Sequence, residues 1–245
     1  MFKEQRTDKI LDIIRENKYV TVDYLVNRLH YSPATIRRDI TYLSNLSLVK
    51  KSYGGVSISS GKPSVIREHE NITGKVKVCK VASELINDGD IIFIDGTTTT
   101  YFLGEFLLKK KNLTVFTTNL KLAIFLSENK VTCYVCGGKV HDSTMLCGSF
   151  VSDLISKVKF DVAFYSVGSI NKDGLICVYN DFWDFMKTAL KNSSSNVLLC
   201  DSEKLKANHK IFISDIGVFN KVICDCKLPD NFYKQFKETE FITSD

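Results

Sequence analysis

The chain has 245 residues, enough for two domains rather than a lone binding module. Its 44% hydrophobic and 25% charged residues are ordinary for a globular protein, and the absence of any run of 18 apolar residues argues against a membrane span. The start, MFKEQRTDKI, shows no apolar secretory segment behind a basic stub, so a cytoplasmic protein is expected. Of the net charge of +5, +4 falls in residues 1–60, which hold 10 Lys/Arg against 6 Asp/Glu. A small basic domain facing a polyanion would have that asymmetry.

Three short helical patterns open the chain. Ile10, Leu11, Ile13 and Ile14 form an apolar stripe that ends near Asn17. After a brief extended piece at Tyr19-Val20, Thr21 is placed to cap a second helix carrying Val22, Leu25, Val26 and Leu29, which stops around His30-Tyr31. The third helix opens at Ser32-Pro33, where Ser can cap free N–H groups and Pro at the first helical position loses nothing. Its inward face is Ile36, Ile40 and Leu43. Thr35, Arg38 and Tyr42 share another face, flanked by Arg37, Asp39 and Thr41. The tight turn between helices two and three is that of a helix-turn-helix.

LSLVKKSYGGVSI then reads as strand, turn, strand: Leu48–Lys51, a turn at Tyr53-Gly54-Gly55, and Val56–Ile58. Such a wing places Lys50 and Lys51 where a phosphate backbone could pass, while arginines on the third helix could pair with guanine in a major groove. A three-helix protein-docking domain with a solvated polar face is the alternative that spacing leaves open.

The small polar stretch SISSGKPS, residues 57–64, marks a boundary. The expected organisation is a winged helix-turn-helix at 1–58, a linker at 59–72 and an α/β domain at 73–245. A helix is expected around 74–87. Strand-like runs then fall at Ile91–Ile94, Leu113–Thr117, Val131–Val135, Val162–Val167, Val197–Cys200 and Lys221–Cys224. Helix-like stretches lie near 99–110, 119–128, 149–157, 181–192 and 229–237. Continuous apolar strands alternating with helices predict a mainly parallel sheet covered on both faces, with ligands bound beyond the carboxyl ends of the strands.

Those ends hold the unusual sequence. IIFIDGTTTTYF ends a strand at Asp95, passes Gly96 and meets four threonines before a helix, donors that suit a phosphate or another anion; a Thr-rich cap without a ligand is the plainer alternative. FTTNLKLA repeats the logic at Thr118-Asn119, CGGKV places Gly137-Gly138 at a strand end, and LLCDSEKLK supplies Asp201 and Lys204. The eight cysteines, at 79, 133, 136, 147, 177, 200, 224 and 226, mostly sit in apolar runs and read as small buried hydrophobes kept reduced. Cys133 and Cys136, three apart on a strand, would point to opposite faces, and no second CxxC or nearby His completes a zinc set, so no metal is expected. Cys224 and Cys226 would share a strand face.

SPATIRRDITYL followed by LVKKSYGGV resembles the DNA-binding domain of the DeoR family of bacterial regulators, with Tyr53 in the usual wing His position. The strand-end loops resemble the effector domain of the same family from about residue 70 to 228, including Gly148, Gly174-Leu175 and Lys187. The resemblance implies a C-terminal α/β domain similar to ribose-phosphate isomerases and CoA transferases, and a repressor that leaves DNA when a sugar phosphate binds. With the helix faces above, it puts DNA contacts at Ser32, Thr35, Arg37, Arg38, Tyr42, Lys50, Lys51 and Tyr53. It implies effector contacts at Asp95, Gly96, Thr97, Thr98, Thr99, Thr118, Asn119, Gly138, Lys187, Asp201 and Lys204. The chain departs from the family at Ser166-Val167-Gly168-Ser169-Ile170, where two usual glycines are serines. It departs again at Ile176-Cys177 in place of two threonines, and at VYNDFWDFMK, where Asp181 or Asp184 could replace the usual acidic residue.

The leading expectation is a homo-oligomeric regulator of sugar-metabolism genes with a double-stranded DNA operator and a phosphorylated sugar effector, no cofactor and no enzymatic activity. Two alternatives remain at the level of sequence: a sugar-phosphate isomerase with a DNA-binding appendage, using Asp95, Asp201 and Lys204 as acid–base groups, and a redox sensor acting through the thiols.

Overall fold

A computed structural model describes residues 3–17, 19–45, 49–52, 54–58, 70–141, 144–178, 180–207 and 211–244. Tyr53, Leu48 and the stretch 59–69 of the expected linker lie outside them. The chain forms two compact units that divide between Glu70 and Asn71.

In the first unit, α1 (Lys3–Asn17), β1 (Tyr19–Thr21), α2 (Val22–Leu29) and α3 (Pro33–Asn45) precede the wing strands β2 (Val49–Ser52) and β3 (Gly55–Ile58). The apolar stripes do the packing: Ile10, Leu11, Ile14, Leu25, Ile36, Ile40, Leu43, Val49 and Val56 form one core. Local chemistry sets the helix ends. Thr21 Oγ1 accepts from Tyr24 N at 3.1 Å, and His30 closes α2 in the left-handed region at φ 57°. Ser32 Oγ accepts from Thr35 N at 3.2 Å. The strands form an antiparallel sheet in the order β1-β3-β2. Gly55 is required there, because a Cβ would lie 2.4 Å from Tyr19 Oη and 2.5 Å from the Val20 carbonyl. One expectation is corrected. Asp39 does not flank the polar face of α3; it is buried and ion-paired to Arg6 Nε at 2.5 Å, because a carboxylate on that side of the helix meets α1 rather than water.

The second unit is built on a seven-stranded sheet in the order β15-β14-β12-β9-β4-β5-β6, all neighbours parallel. Its strands are β4 (Ile91–Ile94), β5 (Thr114–Thr117), β6 (Thr132–Val135), β9 (Phe160–Tyr165), β12 (Ser193–Cys200), β14 (Lys221–Cys224) and β15 (Glu240–Thr243). Period-two alternation sends Ile92, Ile94, Val115, Val162, Phe164, Val197 and Leu199 to one face, and Phe93, Phe116, Ala163, Tyr165, Leu198 and Cys200 to the other. Helices α4 (Ile72–Ser83), α5 (Gly104–Leu107) and α6 (Leu120–Glu128) cover the first face through Val78, Cys79, Ala82, Leu107, Leu122 and Leu126. Helices α7 (Ser149–Ile155), α8 (Asn180–Asn192) and α10 (Asp230–Gln235) cover the second through Val151, Ile155, Phe185, Ala189 and Phe232. Cys133 packs on the first face and Cys136 on the second.

Two expected helices differ. The one at 74–87 runs from Ile72 to Ser83, capped by Asn71, whose Oδ1 accepts from Gly74 N at 3.2 Å. The one at 99–110 is a 3₁₀ turn, Thr100–Leu103, continuing into α5. Besides β15, which was not among the expected strands, further strands form that are too short for an apolar run to announce them. They are the antiparallel hairpin β7 (Lys139–His141) and β8 (Met145–Cys147), and a small antiparallel sheet of β10 (Ser169–Ile170), β11 (Leu175–Cys177) and β13 (Ser214–Asp215). None of the described helices is long and apolar enough to cross a membrane.

Candidate functional site

In the first unit, burying Ile36, Ile40 and Leu43 leaves Arg37 and Arg38 exposed, with Tyr42 40% exposed and Thr35 half-buried on the same helix. Ser32 caps the start of α3, its hydroxyl 2.9 Å from that of Thr35. Lys50 and Lys51 stand exposed on β2, opposite Ser57 and Val56 of β3. Lys51 Nζ donates to Thr41 Oγ1 at 3.5 Å, tying wing to helix. Between them lies a cavity of about 420 Å³ lined by Arg37, Thr41, Lys51 and Gly54 among others. Gly54, at φ +79°, turns the wing. The half-buried Arg6 paired with the buried Asp39 ties α1 to α3, and the Arg6 guanidinium also lies 5.0 Å from the centre of the Tyr31 ring. The resulting surface presents guanidinium, ammonium and hydroxyl donors together, the groups a polyanionic duplex takes up.

In the second unit, because the sheet is parallel, the ends of β12, β9, β4, β5 and β6 lie along one edge and set Asp201, Ser166, Asp95, Thr118-Asn119 and Gly138 side by side. The chain reverses its strand order between β4 and β9, the place where parallel sheets bind ligands. Asp95 ends β4 there, 1% exposed. Its Oδ1 accepts from Thr97 N at 3.0 Å, Thr97 Oγ1 at 2.7 Å and Thr100 Oγ1 at 2.7 Å, and its Oδ2 accepts from Ser166 N at 2.8 Å. Burial pushes the Asp95 carboxyl above the usual carboxylate range, and these donors pull it back. Asp95 therefore shapes the loop rather than offering an open carboxylate.

Asn119 joins two loops. Its Oδ1 caps α6 by accepting from Leu122 N at 3.1 Å, and its Nδ2 donates to the carbonyls of Gly96 and Thr97 at 3.4 Å each. A Cβ on Gly96 would lie 2.3 Å from Met145 Cγ and 3.1 Å from Thr118 Oγ1, and one on Gly138 would lie 2.4 Å from the Cys147 carbonyl, so both glycines allow close approach. Thr99 Oγ1 donates to Asp201 Oδ2 at 3.3 Å, and Asp201 Oδ1 accepts from Glu203 N at 3.1 Å. Lys204 is half-buried on α9 (Glu203–Lys206), one turn after Asp201. Thr118 Oγ1 is buried with no hydrogen-bond partner. An unsatisfied buried polar atom of this kind costs about 1–3 kcal/mol unless something else meets it.

Lys187 stands apart. It is exposed on α8, on the side away from Phe185, Met186 and Ala189, and its ammonium pairs with Asp184 at 3.0 Å. Conversely, a residue that was not foreseen enters the group: Lys75 of α4 is 2% exposed, and its Nζ donates to Thr98 Oγ1 at 3.5 Å. The spacing Lys75, Val78, Cys79, Ala82 repeats at i, i+3, i+4 and i+7, so the lysine shares the buried face of its helix, and that was the signal available in the sequence. Thr100, whose hydroxyl donates to the Asp95 carboxylate at 2.7 Å and lies 3.0 Å from the Asp95 carbonyl, was likewise not among the expected contacts.

A helix-turn-helix and wing on one unit, and buried polar groups gathered at the strand ends of a parallel α/β unit, define a two-part DNA-binding regulator. Sequence profiles agree: the DeoR-like helix-turn-helix domain matches residues 6–62 and the DeoR C terminal sensor domain matches residues 70–226. The chain belongs to the DeoR family of transcriptional regulators. A glycerol-3-phosphate regulon repressor of Escherichia coli strain K12 is 26% identical over 235 residues, 94% of this chain and 93% of its own length. A lactose phosphotransferase system repressor of Lactococcus lactis subsp. lactis is 25% identical over 247 residues, 97% of each. Among solved structures, a ribose 5-phosphate isomerase A from Methanocaldococcus jannaschii aligns with a TM-score of 0.41 at 17% identity, over 56% of this chain and 55% of the isomerase. This chain thus spans about half the length of that isomerase.

Proposed function

We propose that this regulator is a repressor, acting as a homo-oligomer, that holds operator DNA through α3 and the wing and lets go when a phosphorylated sugar enters the strand-end pocket. Arg37 and Arg38 read base edges; Ser32, Thr35, Tyr42, Lys50 and Lys51 hold phosphates, with Tyr53 as a wing contact. In the sensor unit, Thr97, Thr98, Thr99, Thr118 and Lys75 meet the phosphate and its neighbouring hydroxyls. Gly96 and Gly138 give the ligand room, Asn119 and Asp95 set the loops, and Asp201 with Lys204 closes one end. Lys187 would join this group only if α8 rotated its outward face, so it is the weakest member of the set.

The observation that supports sensing is the buried, unpartnered hydroxyl of Thr118 beside the Gly96 loop, with the Lys75 ammonium buried against Thr98. A ligand oxygen accepting that hydroxyl removes the penalty and so favours the bound state. Catalysis is not proposed, because both oxygens of Asp95 are taken up by the loop. A role as a repressor also matches the names of the two relatives above.

The test is a thermal-shift screen of the full chain against sugar phosphates, followed by fluorescence anisotropy on DNA selected from a random library. A true effector at 100 times its dissociation constant adds about 2.7 kcal/mol to folding stability. It also weakens DNA binding by about 5–150-fold. A compound that stabilises the protein yet leaves the DNA-binding midpoint unchanged at saturation sinks the coupling, whatever its affinity.

A further inference from the structure

Three side chains with metal-ligating chemistry meet where the β7–β8 hairpin faces the start of α8. His141 Nδ1 or Nε2, Cys147 Sγ and a carboxylate oxygen of Asp181 all lie within 4.8 Å of one another. The fold makes this convergence from three elements. In the β7–β8 hairpin, Lys139 pairs with Cys147 and His141 with Met145, so His141 and Cys147 are diagonal neighbours on one face. Asp181 comes from the first turn of α8. The next residue, Phe182, is buried with its ring edge-on to the His141 imidazole at 5.1 Å, which seats the helix start against the hairpin.

We infer that His141, Cys147 and Asp181 form a binding site for one divalent transition-metal ion of the zinc type, with its fourth position open to water or a small ligand.

The donor chemistry decides the class. A thiolate and an imidazole together select zinc-like ions over magnesium or calcium, which take oxygen alone. One thiolate and one carboxylate neutralise a dication, so the loaded site adds no net charge beneath the helix. At Zn–S of about 2.3 Å and Zn–N or Zn–O of about 2.0–2.2 Å, tetrahedral donors stand about 3.5 Å apart. The three side chains, none more than 4.8 Å from another, therefore need only small rotations to close on an ion. Three protein ligands and one open position is the arrangement of a reactive or exchangeable site rather than a closed structural one. A nucleophilic Cys–His–Asp set is the competing use of these residues. It needs a solvent-accessible thiol, and Cys147 is 1% exposed. An ion here would clamp the hairpin, which backs the Gly138 loop, to α8.

The probe is Zn²⁺ itself, titrated into the reduced, metal-free full chain in competition with a chromogenic chelator, with Co²⁺ as a spectroscopic substitute. The expected result is one ion per chain and a thiolate-to-cobalt charge-transfer band. C147S abolishes that band. H141A and D181N each weaken the ion by more than about tenfold, a loss already seen for outer-shell partners. C224S with C226S is the control, because those two thiols, 3.6 Å apart, are the other candidate sulfur ligands. That double variant should keep both the stoichiometry and the band. D181N preserves shape at an exposed position, so its apo melting curve should match wild type even if C147S or H141A loosens the hairpin. The inference is overturned if no ion binds at micromolar Zn²⁺. It is equally overturned if C147S and D181N bind as wild type does, or if binding is lost in C224S/C226S.

Discussion

The outer face of α3 and the strand-end loops of the sensor unit are both rich in polar side chains, but they keep them in opposite states. On α3, Arg37, Arg38 and Tyr42 point into water. At the strand ends, Asp95, Thr98, Thr99, Thr118, Asn119 and Asp201 are all buried, and all but Thr118 hydrogen-bond through their side chains to other residues of these loops or to Lys75. The difference follows the partner proposed for each. A duplex is a large polyanion that supplies its own complement to solvated cations and gains from counterion release. A small ligand must be enclosed, so its site is preorganised before it arrives, its polar groups held in place by bonds to one another. On an open surface, exposure points to function. At a buried site, the informative atoms are those the protein has left unsatisfied; among the described residues these are Thr118 Oγ1 and Ser169 Oγ, and Thr118 is the one beside the Gly96 loop.

The sharpest way to break the comparison is at the exposed end. Arg37→Ala with Arg38→Ala should remove up to about 6 kcal/mol of specific DNA binding, taking about 1–3 kcal/mol for each base-pairing arginine. Because both side chains are exposed, the melting temperature should stay within a degree or two. Anisotropy against a selected site and a scrambled duplex checks the first claim, calorimetry the second. Equal binding by the double variant would remove α3 as the reading helix.

A smaller effect tests what lies behind that face. Arg6→Ala strands the buried Asp39 carboxylate without its partner. Taking the low end of the range for broken buried pairs, the first unit should lose about 3 kcal/mol, measured by urea unfolding. DNA affinity should fall only through the unfolded fraction. Loss of DNA binding with unchanged stability would show that Arg6 touches DNA itself.

How far these features could be read from sequence depended on whether a residue's role is set by its own neighbours in the chain. The apolar stripes, the Thr21 and Ser32 caps and the parallel strands were legible because period and capping are local. So was the exposure of Arg37 and Arg38, fixed by Ile36 and Ile40 on either side. Asp39 was not, since its burial depends on Arg6, 33 residues away. Lys75 was not read either, although its phase with Val78 and Ala82 placed it on the buried face. Asp95 was picked out, but its commitment to Thr100 and Ser166 needs the adjacent strand β9 in place. The β7–β8 hairpin escaped because β7 is mostly exposed and β8, though apolar and buried, is only three residues long, and with it went the meeting of His141 and Cys147 with Asp181.

Thr118→Val sharpens the buried end by about 1 kcal/mol. Valine copies the shape of threonine and deletes only the hydroxyl. The free protein should become slightly more stable, since an unsatisfied buried group is removed. The thermal shift given by a sugar phosphate should shrink or vanish. A loss of stability in the free protein would mean that the hydroxyl already has a partner, such as bound water, and is not reserved for the ligand.

The smallest effect belongs to Lys50→Ala on the wing. Lys50 is exposed on β2, opposite Ser57. If its ammonium meets one phosphate, removing it releases one fewer counterion on binding. The slope of log affinity against log salt should then fall by about 0.9. The loss should be the same on specific and scrambled duplexes, because a phosphate contact carries no sequence information. At high salt the variant and the wild type should therefore converge, whereas the Arg37/Arg38 variant should stay weaker on its specific site at every salt concentration. A Lys50 variant whose defect is confined to the specific site would place the wing on base edges and erase the division of labour between helix and wing.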